Sequence, residues 1–375
     1  MARNSSIEGR SDGSAEDRLV DIDLARGLAV FGMYAAHVGG GPIPDDVGLI
    51  GNLMELPLGR SSALFAVLAG FSLILITGRK APKSGEAGGQ AVARVAIRAL
   101  VLLAIGSILT CLGTRVAVIL EPYGICFFLV LPLYRLNAQQ LGLLAAGTAL
   151  VLPQMRLLLQ LHGPEGLLDP VFDFMVRGDY PAMTWVPFVI TGMAIARLSL
   201  NTQAMQWRLG LAGVALAALG YGGSWLALRL VPGVPAALRE SPEPWCDLDS
   251  PLSMLVAAPH SETTFSILGN TGCAMIVLAA CWLAMDALPH LRKLVWPIIA
   301  VGSMSLTAYV LHIVGIAYLE RIMGVDALGE DASLSMLLGF VVVISTFAVL
   351  WLRAFQRGPM EVLMGRITDL ARHIR

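Results

Sequence analysis

Stretches of about twenty apolar residues recur along the chain, separated by short linkers rich in charge, Gly or Pro. They fall near 19–38, 61–78, 94–112, 115–134, 138–155, 182–199, 207–228, 263–285, 294–318 and 334–353. Each is long enough to cross the hydrocarbon of a bilayer as a helix. The pattern predicts an all-α polytopic membrane protein with about ten transmembrane helices. Glu121-Pro122 interrupts the fourth stretch, and Pro297 with Gly302-Ser303-Met304-Ser305 interrupts the ninth. Both are expected to be kinked or broken, which a membrane tolerates only where protein or a cavity covers the freed backbone.

The ends of the chain read differently. Residues 1–17 are polar with no apolar core, which predicts a disordered cytoplasmic tail and no cleavable signal peptide, so the first apolar stretch is an uncleaved anchor. Residues 18–356 form the transmembrane unit. In the tail at 357–375, Met360, Leu363, Met364, Ile367, Leu370, Ala371 and Ile374 recur at helical spacing, with Arg366, Arg372 and Arg375 flanking them. That predicts an amphipathic helix lying on the membrane surface.

Composition agrees: 56% of the 375 residues are hydrophobic and 14% charged, well below the quarter or so of a soluble protein. The net charge of −1 argues against nucleic acid as a partner. Cys111, Cys126, Cys246, Cys273 and Cys281 have no CxxC spacing, and neither a thiolate metal site nor a disulfide framework is expected. Phosphate-binding and dinucleotide-binding glycine motifs are likewise missing from the sequence.

Basic residues set the orientation. With a cytoplasmic N-terminus and ten alternating helices, 19 of the 26 Lys and Arg fall inside, and both termini are cytoplasmic in an inner (plasma) membrane. The seven outside are Arg60, Arg115, Arg156, Arg177, Arg229, Arg239 and Arg321. The longest exterior loop, near 230–262, collects Glu240, Glu243, Asp247, Asp249 and Glu262.

Charge within a membrane segment is costly and marks a functional site by default. Arg26 and His37 lie in the first segment; eleven helical steps return to nearly the same face about 16 Å further on. Arg26 is then near the cytoplasm and His37 near the outer surface. The same depth argument brings His37, Glu121, Tyr123, Trp185, His260 and His312 to a similar outer level. A histidine beside a carboxylate is a usual arrangement for general-base chemistry near neutral pH. At the inner level lie Asp21, Asp23, Arg26, Arg94, Arg98, Arg197 and Lys293, whose surplus of guanidinium groups suits a phosphorylated cytosolic molecule. For Arg94, Arg197 and Lys293 ordinary positive-inside bias is the competing explanation. For the histidines the competing explanations are snorkelling at a helix end, a satisfied core hydrogen bond or a solvated loop.

Several motifs taken together resemble a known family. Arg18-Leu-Val-Asp-Ile-Asp-Leu-Ala-Arg-Gly-Leu-Ala and Gly59-Arg-Ser-Ser-Ala-Leu-Phe-Ala-Val-Leu-Ala-Gly resemble the first two membrane helices of the heparan-alpha-glucosaminide N-acetyltransferase-like proteins. Tyr180-Pro-Ala-Met-Thr-Trp, Pro259-His-Ser-x-Thr, Gly302-Ser-Met-Ser-Leu-Thr-Ala-Tyr and Arg357-Gly-Pro-Met-Glu resemble landmarks of its bacterial branch, long described as of unknown function. The Arg26–His37 spacing and the Ser303–His312 helix are similar to features of the related type 3 acyltransferases. The lysosomal members carry Asn where His37 stands, with their histidine following in the exterior loop, where this chain has Asp45 and Asp46.

The resemblance implies a membrane acyltransferase that takes an acyl group, commonly acetyl, from cytosolic acyl-CoA without a metal. The acceptor is extracytoplasmic or membrane-embedded, a sugar or glycolipid. His37 is then the base or a transient acyl carrier, with Glu121, His260 or His312 beside it. Arg26, with Arg94 and Arg98, would bind the donor, and Tyr123, Tyr180 and Trp185 the acceptor. A transporter or flippase for a lipid or glycan precursor, and a non-catalytic partner in an envelope-synthesis complex, are the alternatives. The oligomeric state, homodimer included, is left open by the sequence.

Overall fold

The computed structural model describes residues 8–39, 54–79, 81–162, 172–234, 251–288, 290–329 and 332–373. Among them the regular structure is helical throughout. In chain order the helices are α1 (Glu8–Val38), α2 (Arg60–Thr77), α3 (Gly85–Thr110), α4 (Leu120–Val130), α5 (Ala138–His162) and α6 (Ala182–Arg197). There follow α7 (Gln203–Leu230, with a π turn at Ala218–Gly222), α8 (Thr264–Ala287), α9 (Trp296–Ser303), α10 (Ser305–Tyr318), α11 (Leu334–Ala354) and α12 (Pro359–Thr368).

Seven helices among the described residues are long and apolar enough to cross a membrane: α2, α3, α5, α7, α8, α10 with its continuation to Met323, and α11. The three other expected segments take other forms. The first lies in α1, which begins at Glu8, inside the stretch read as a polar tail. The fourth is the 11-residue α4, and the sixth is the 16-residue α6. Leu143, Leu158, Leu211, Leu219, Val342 and Val343 are exposed on α5, α7 and α11, as lipid-facing surfaces require.

Both predicted interruptions exist, in forms the sequence does not specify. In the fourth segment the helix starts at Leu120, so Pro122 sits in the first turn, where its missing N–H has no intrahelical partner to lose. The ninth segment breaks at Met304 (φ −125°, ψ 41°), while Pro297 is harmless at the start of α9. Without an aqueous phase to hydrate them, the N–H groups freed by the break need protein partners. Glu361 of α12 supplies them: Oε1 accepts from Leu306 N (2.8 Å) and Thr307 N (3.2 Å), and Oε2 from Thr307 Oγ1 (2.6 Å). The amphipathic tail is therefore a structural part of the bundle, packed on α3 and α10.

Helix contacts rely on small residues, the usual device where lipid removes the hydrophobic drive for helices to associate. A Cβ on Gly302 would lie 1.7 Å from the carbonyl oxygen of Asp23, and one on Gly27 2.1 Å from that of Ile298. This close crossing of α1 with α9 fixes the height of α1, the helix that carries Arg26 and His37.

Candidate active site

Two cavities lie at two levels of α1, one beside Arg26 and one beside His37 near its C-terminal end. The first, of about 400 Å³, opens beside Arg26 between α1, α2, α3, α4, the Met304 break and α12. The second, of about 440 Å³, opens beside His37 and is bounded by Pro57–Gly59, Ser61, Ser62, residues 115–117, Asp179–Tyr180 and His260. Tyr123 of α4 lines the first cavity and donates its hydroxyl to the carbonyl of Ser62 (2.8 Å), which lines the second. That contact is a partition between them.

In the first cavity Arg26 is held in place by Asp23 (2.9 Å) and the Ser72 hydroxyl (2.7 Å). Arg98 and Arg357 line the same space, and Arg98 Nε is buried without a hydrogen-bond partner among the described residues. Three guanidinium groups, one with an unsatisfied donor, suit a phosphate-bearing ligand. Arg94 is not part of this wall; it turns to Asp369 of the C-terminal segment at 3.8 Å. Arg197 is also a structural tie: it binds the carbonyls of Gly78 (2.5 Å), Arg79 (2.8 Å) and Tyr134.

At the other end, His37 Nδ1 lies 3.0 Å from His312 Nε2, with the ring planes 7° apart. His312 stacks in turn on Tyr34 (4.5 Å), whose hydroxyl binds the Ala308 carbonyl of the same half-helix, α10. One nitrogen of the histidine pair must donate and the other accept. With His37 Nδ1 as donor, its Nε2 retains a lone pair.

His260 faces the same cavity from a different support. It sits in left-handed backbone (φ 58°), as does Glu262 (φ 54°), so this short loop is held against its intrinsic preference. Its ring stands edge-on to Tyr180 (5.4 Å), which stands edge-on to Trp185 (4.9 Å). Burial holds the His260 imidazole well below its ordinary range, at about 4, so it is neutral at physiological pH.

The carboxylate near this cluster is not the expected one. Glu121 packs against Gly106 of α3 and is not among the residues lining either cavity. Glu262, read from sequence as part of an acidic exterior loop, is buried. It accepts from Thr184 Oγ1 (2.5 Å) and the Trp185 indole (2.6 Å), with Arg156 at 3.6 Å. Burial raises its carboxyl to about 7, against the pull of Arg156. Trp185 is thus committed to Glu262 behind the cavity, and of the three expected acceptor-binding aromatics only Tyr180 lines it. The other loop acids, Glu240 to Asp249, together with Asp45 and Asp46, lie outside the described residues.

Sequence reasoning missed Ser61, Ser62, Arg115 and Asp179 of the second cavity and Ser72, Arg357 and Glu361 of the first. Glu361 and Glu262 sat inside recognised motifs, but their roles depend on partners more than fifty residues away. One motif marked Glu361 without showing what it holds, and Glu262 stood at the unspecified position of the other.

No curated protein matches the chain. Residues 248–371 match the model of a protein family of unknown function (DUF418), which supplies His260, His312 and Glu361. Residues 18–225, which carry Arg26, His37, Tyr123 and Tyr180, match the catalytic model of heparan-alpha-glucosaminide N-acetyltransferase. That match covers more than half of the chain, which therefore belongs to the heparan-alpha-glucosaminide N-acetyltransferase family of membrane acyltransferases.

Proposed function

We propose that the protein transfers an acyl group, acetyl by family precedent, from cytosolic acyl-CoA to an acceptor on or beyond the outer face of the inner membrane. The observation that carries this reading is the pair of cavities at the Arg26 and His37 levels of α1, with Tyr123 and Ser62 between them. In the orientation set by the loop charges, the Arg26 cavity faces the cytoplasm and both termini lie inside, with about ten crossings. Arg26, Arg98 and Arg357 hold the donor's phosphates, and its pantetheine arm passes upward between α2 and α4 toward His37. Arg94 contributes indirectly, by fixing the C-terminal segment that closes the cavity.

His37 acts as general base. Its Nε2 takes the proton of the acceptor hydroxyl or amine as that atom attacks the thioester carbonyl; the carbon–sulfur bond breaks and the thiolate leaves with the proton. His312 keeps the His37 ring in the tautomer and orientation this requires. His260 and Tyr180 form the acceptor's wall, and Tyr123 controls the passage between the cavities. Glu262 and Trp185 hold the His260 loop, while Glu121 has no part in the chemistry.

In purified protein with labelled acetyl-CoA, His37→Ala is expected to abolish acetyl transfer while the protein still folds. Undiminished transfer by that variant overturns the assignment. Movement of an amphiphile across the bilayer without any acyl transfer would favour a transporter instead.

A further inference from the structure

A third cavity, of about 570 Å³, runs along the outside of the bundle between α1, α2, α7 and α8. Its walls are apolar for most of their length, from Leu28 through Leu64 to Val277, and Leu28 and Leu56 are exposed. Pro57 and Ser61 line both this groove and the His37 cavity, so the two adjoin across these side chains. Ser61 packs on Gly32 at this shared wall: a Cβ at position 32 would lie 2.0 Å from Ser61 Oγ. Along α1 the groove runs from Gly32 down to Leu28, four residues or about 6 Å toward the opposite face.

One charged residue stands at its mouth. Arg60 donates Nε to the Tyr221 hydroxyl (3.0 Å) and Nη1 to the Leu56 carbonyl (2.9 Å), with its guanidinium carbon 4.9 Å from the Tyr221 ring centre. Tyr221 is anchored in turn on Asn270 (2.7 Å). A cation braced by a tyrosine, above an apolar trough and beside a hydroxyl-rich chamber, matches three parts of one kind of molecule. The trough takes a hydrocarbon chain lying parallel to the helices. Arg60 takes an anionic phosphate. The chamber, with Ser61, Ser62, Asp179 and Arg115 around His37, offers the mixed donors and acceptors that bind sugar hydroxyls.

We propose that the acceptor is a phosphate-linked glycolipid that enters sideways from the bilayer. Its chain lies in the Leu28–Val277 groove, its phosphate meets Arg60, and its sugar enters the His37 cavity by displacing the Ser61 side chain from the shared wall. The inference rests on the acyltransferase reading for the fate of the sugar, but the lipid site stands on its own geometry. Transfer then converts a sugar hydroxyl to an ester, with the hydroxyl proton passing through His37 to the departing thiolate.

The test uses full-length protein in phosphatidylcholine nanodiscs, with a polyprenyl-phosphate glucose bearing a photoactivatable diazirine in its chain. Saturable labelling is expected on peptides containing Leu28, Leu64 or Val277. Arg60→Gln should weaken it about tenfold, as loss of one charge-assisted hydrogen bond dictates. Leu28→Trp, at an exposed position, should block it by filling the groove. Glucose 1-phosphate, which lacks the chain, should not compete. Labelling indifferent to both variants, or equal competition by glucose 1-phosphate, overturns the lipid acceptor. Acetyl transfer to lipid-free glucose, undiminished in both variants, also overturns it and leaves the transferase standing. Saturable, Arg60-dependent labelling in a protein that transfers no acetyl supports the lipid site and removes the acyltransferase reading.

Discussion

Replacing Glu361 by alanine removes the carboxylate that caps the broken ninth segment. Three hydrogen bonds disappear together: two from the backbone of Leu306 and Thr307 and one from the Thr307 hydroxyl. Loss of a helix N-cap costs roughly 0.5–2 kcal/mol. Each donor left unpaired away from water adds roughly 1–3 kcal/mol, less whatever local relaxation recovers. A net loss of about 3 kcal/mol follows. Glu361→Gln behaves differently, because its carbonyl oxygen still accepts from both amides and its NH₂ can donate to Thr307 Oγ1; it should cost about 1 kcal/mol. Thermal unfolding of the detergent-purified protein measures both. Because His312 rides on the capped half-helix, folded Glu361→Ala should also lose transfer rate, with less loss for the glutamine variant. An alanine variant within 0.5 kcal/mol of wild type, about the scatter of surface substitutions, refutes the capping role.

Two further predictions concern the second cavity. His312→Ala should lower kcat by about two orders of magnitude, the lower end of what a positioned base contributes, while leaving KM for acetyl-CoA unchanged; a raised KM with normal kcat contradicts its role in orienting His37. The buried pair His260 and Glu262 should act on stability with opposite signs between pH 4.5 and 6.5. Glu262, raised to about 7, holds a proton in the folded state that the unfolded chain releases, so its contribution falls as pH rises. His260, lowered to about 4, excludes a proton that the unfolded chain binds, so its contribution grows with pH. Relative to wild type, the stability of Glu262→Gln should therefore rise with pH across this window and that of His260→Asn should fall. Unfolding temperatures from pH 4.5 to 7 decide it, and parallel curves for all three proteins contradict the assignment.

Much of this was legible in the sequence because a membrane imposes strong rules. Apolar runs located α2 to α11 and the C-terminal part of α1, and the Pro297–Ser305 stretch marked the broken one, though only the structure puts the break at Met304. The helical repeat put Arg26 and His37 on one stripe toward opposite ends of the first apolar run, and the depth argument brought His37, His260 and His312 to one level. Depth says nothing about which way a side chain faces around the bundle axis. That is why Glu121, at the right height, turned out to pack on Gly106. Buried acids also resemble exposed ones when they occur in loops. Glu262 was grouped with its acidic neighbours because its partners, Arg156, Thr184 and Trp185, are distant in the chain. Arg197 and Arg94 carried the expected charge, yet Arg197 is spent on the backbone carbonyls of Gly78, Arg79 and Tyr134, and Arg94 is ion-paired with Asp369.

The central claim is a division along α1, with donor binding at Arg26 and proton transfer at His37 on the other side of the membrane. Sidedness tests it directly. Oriented proteoliposomes would receive labelled acetyl-CoA, which does not cross the bilayer, only on the side of the Arg26 cavity, with the acceptor confined to the opposite side. The account predicts label on the confined acceptor, lost in both Arg26→Ala and His37→Ala. Label transferred only when donor and acceptor share one side would contradict it.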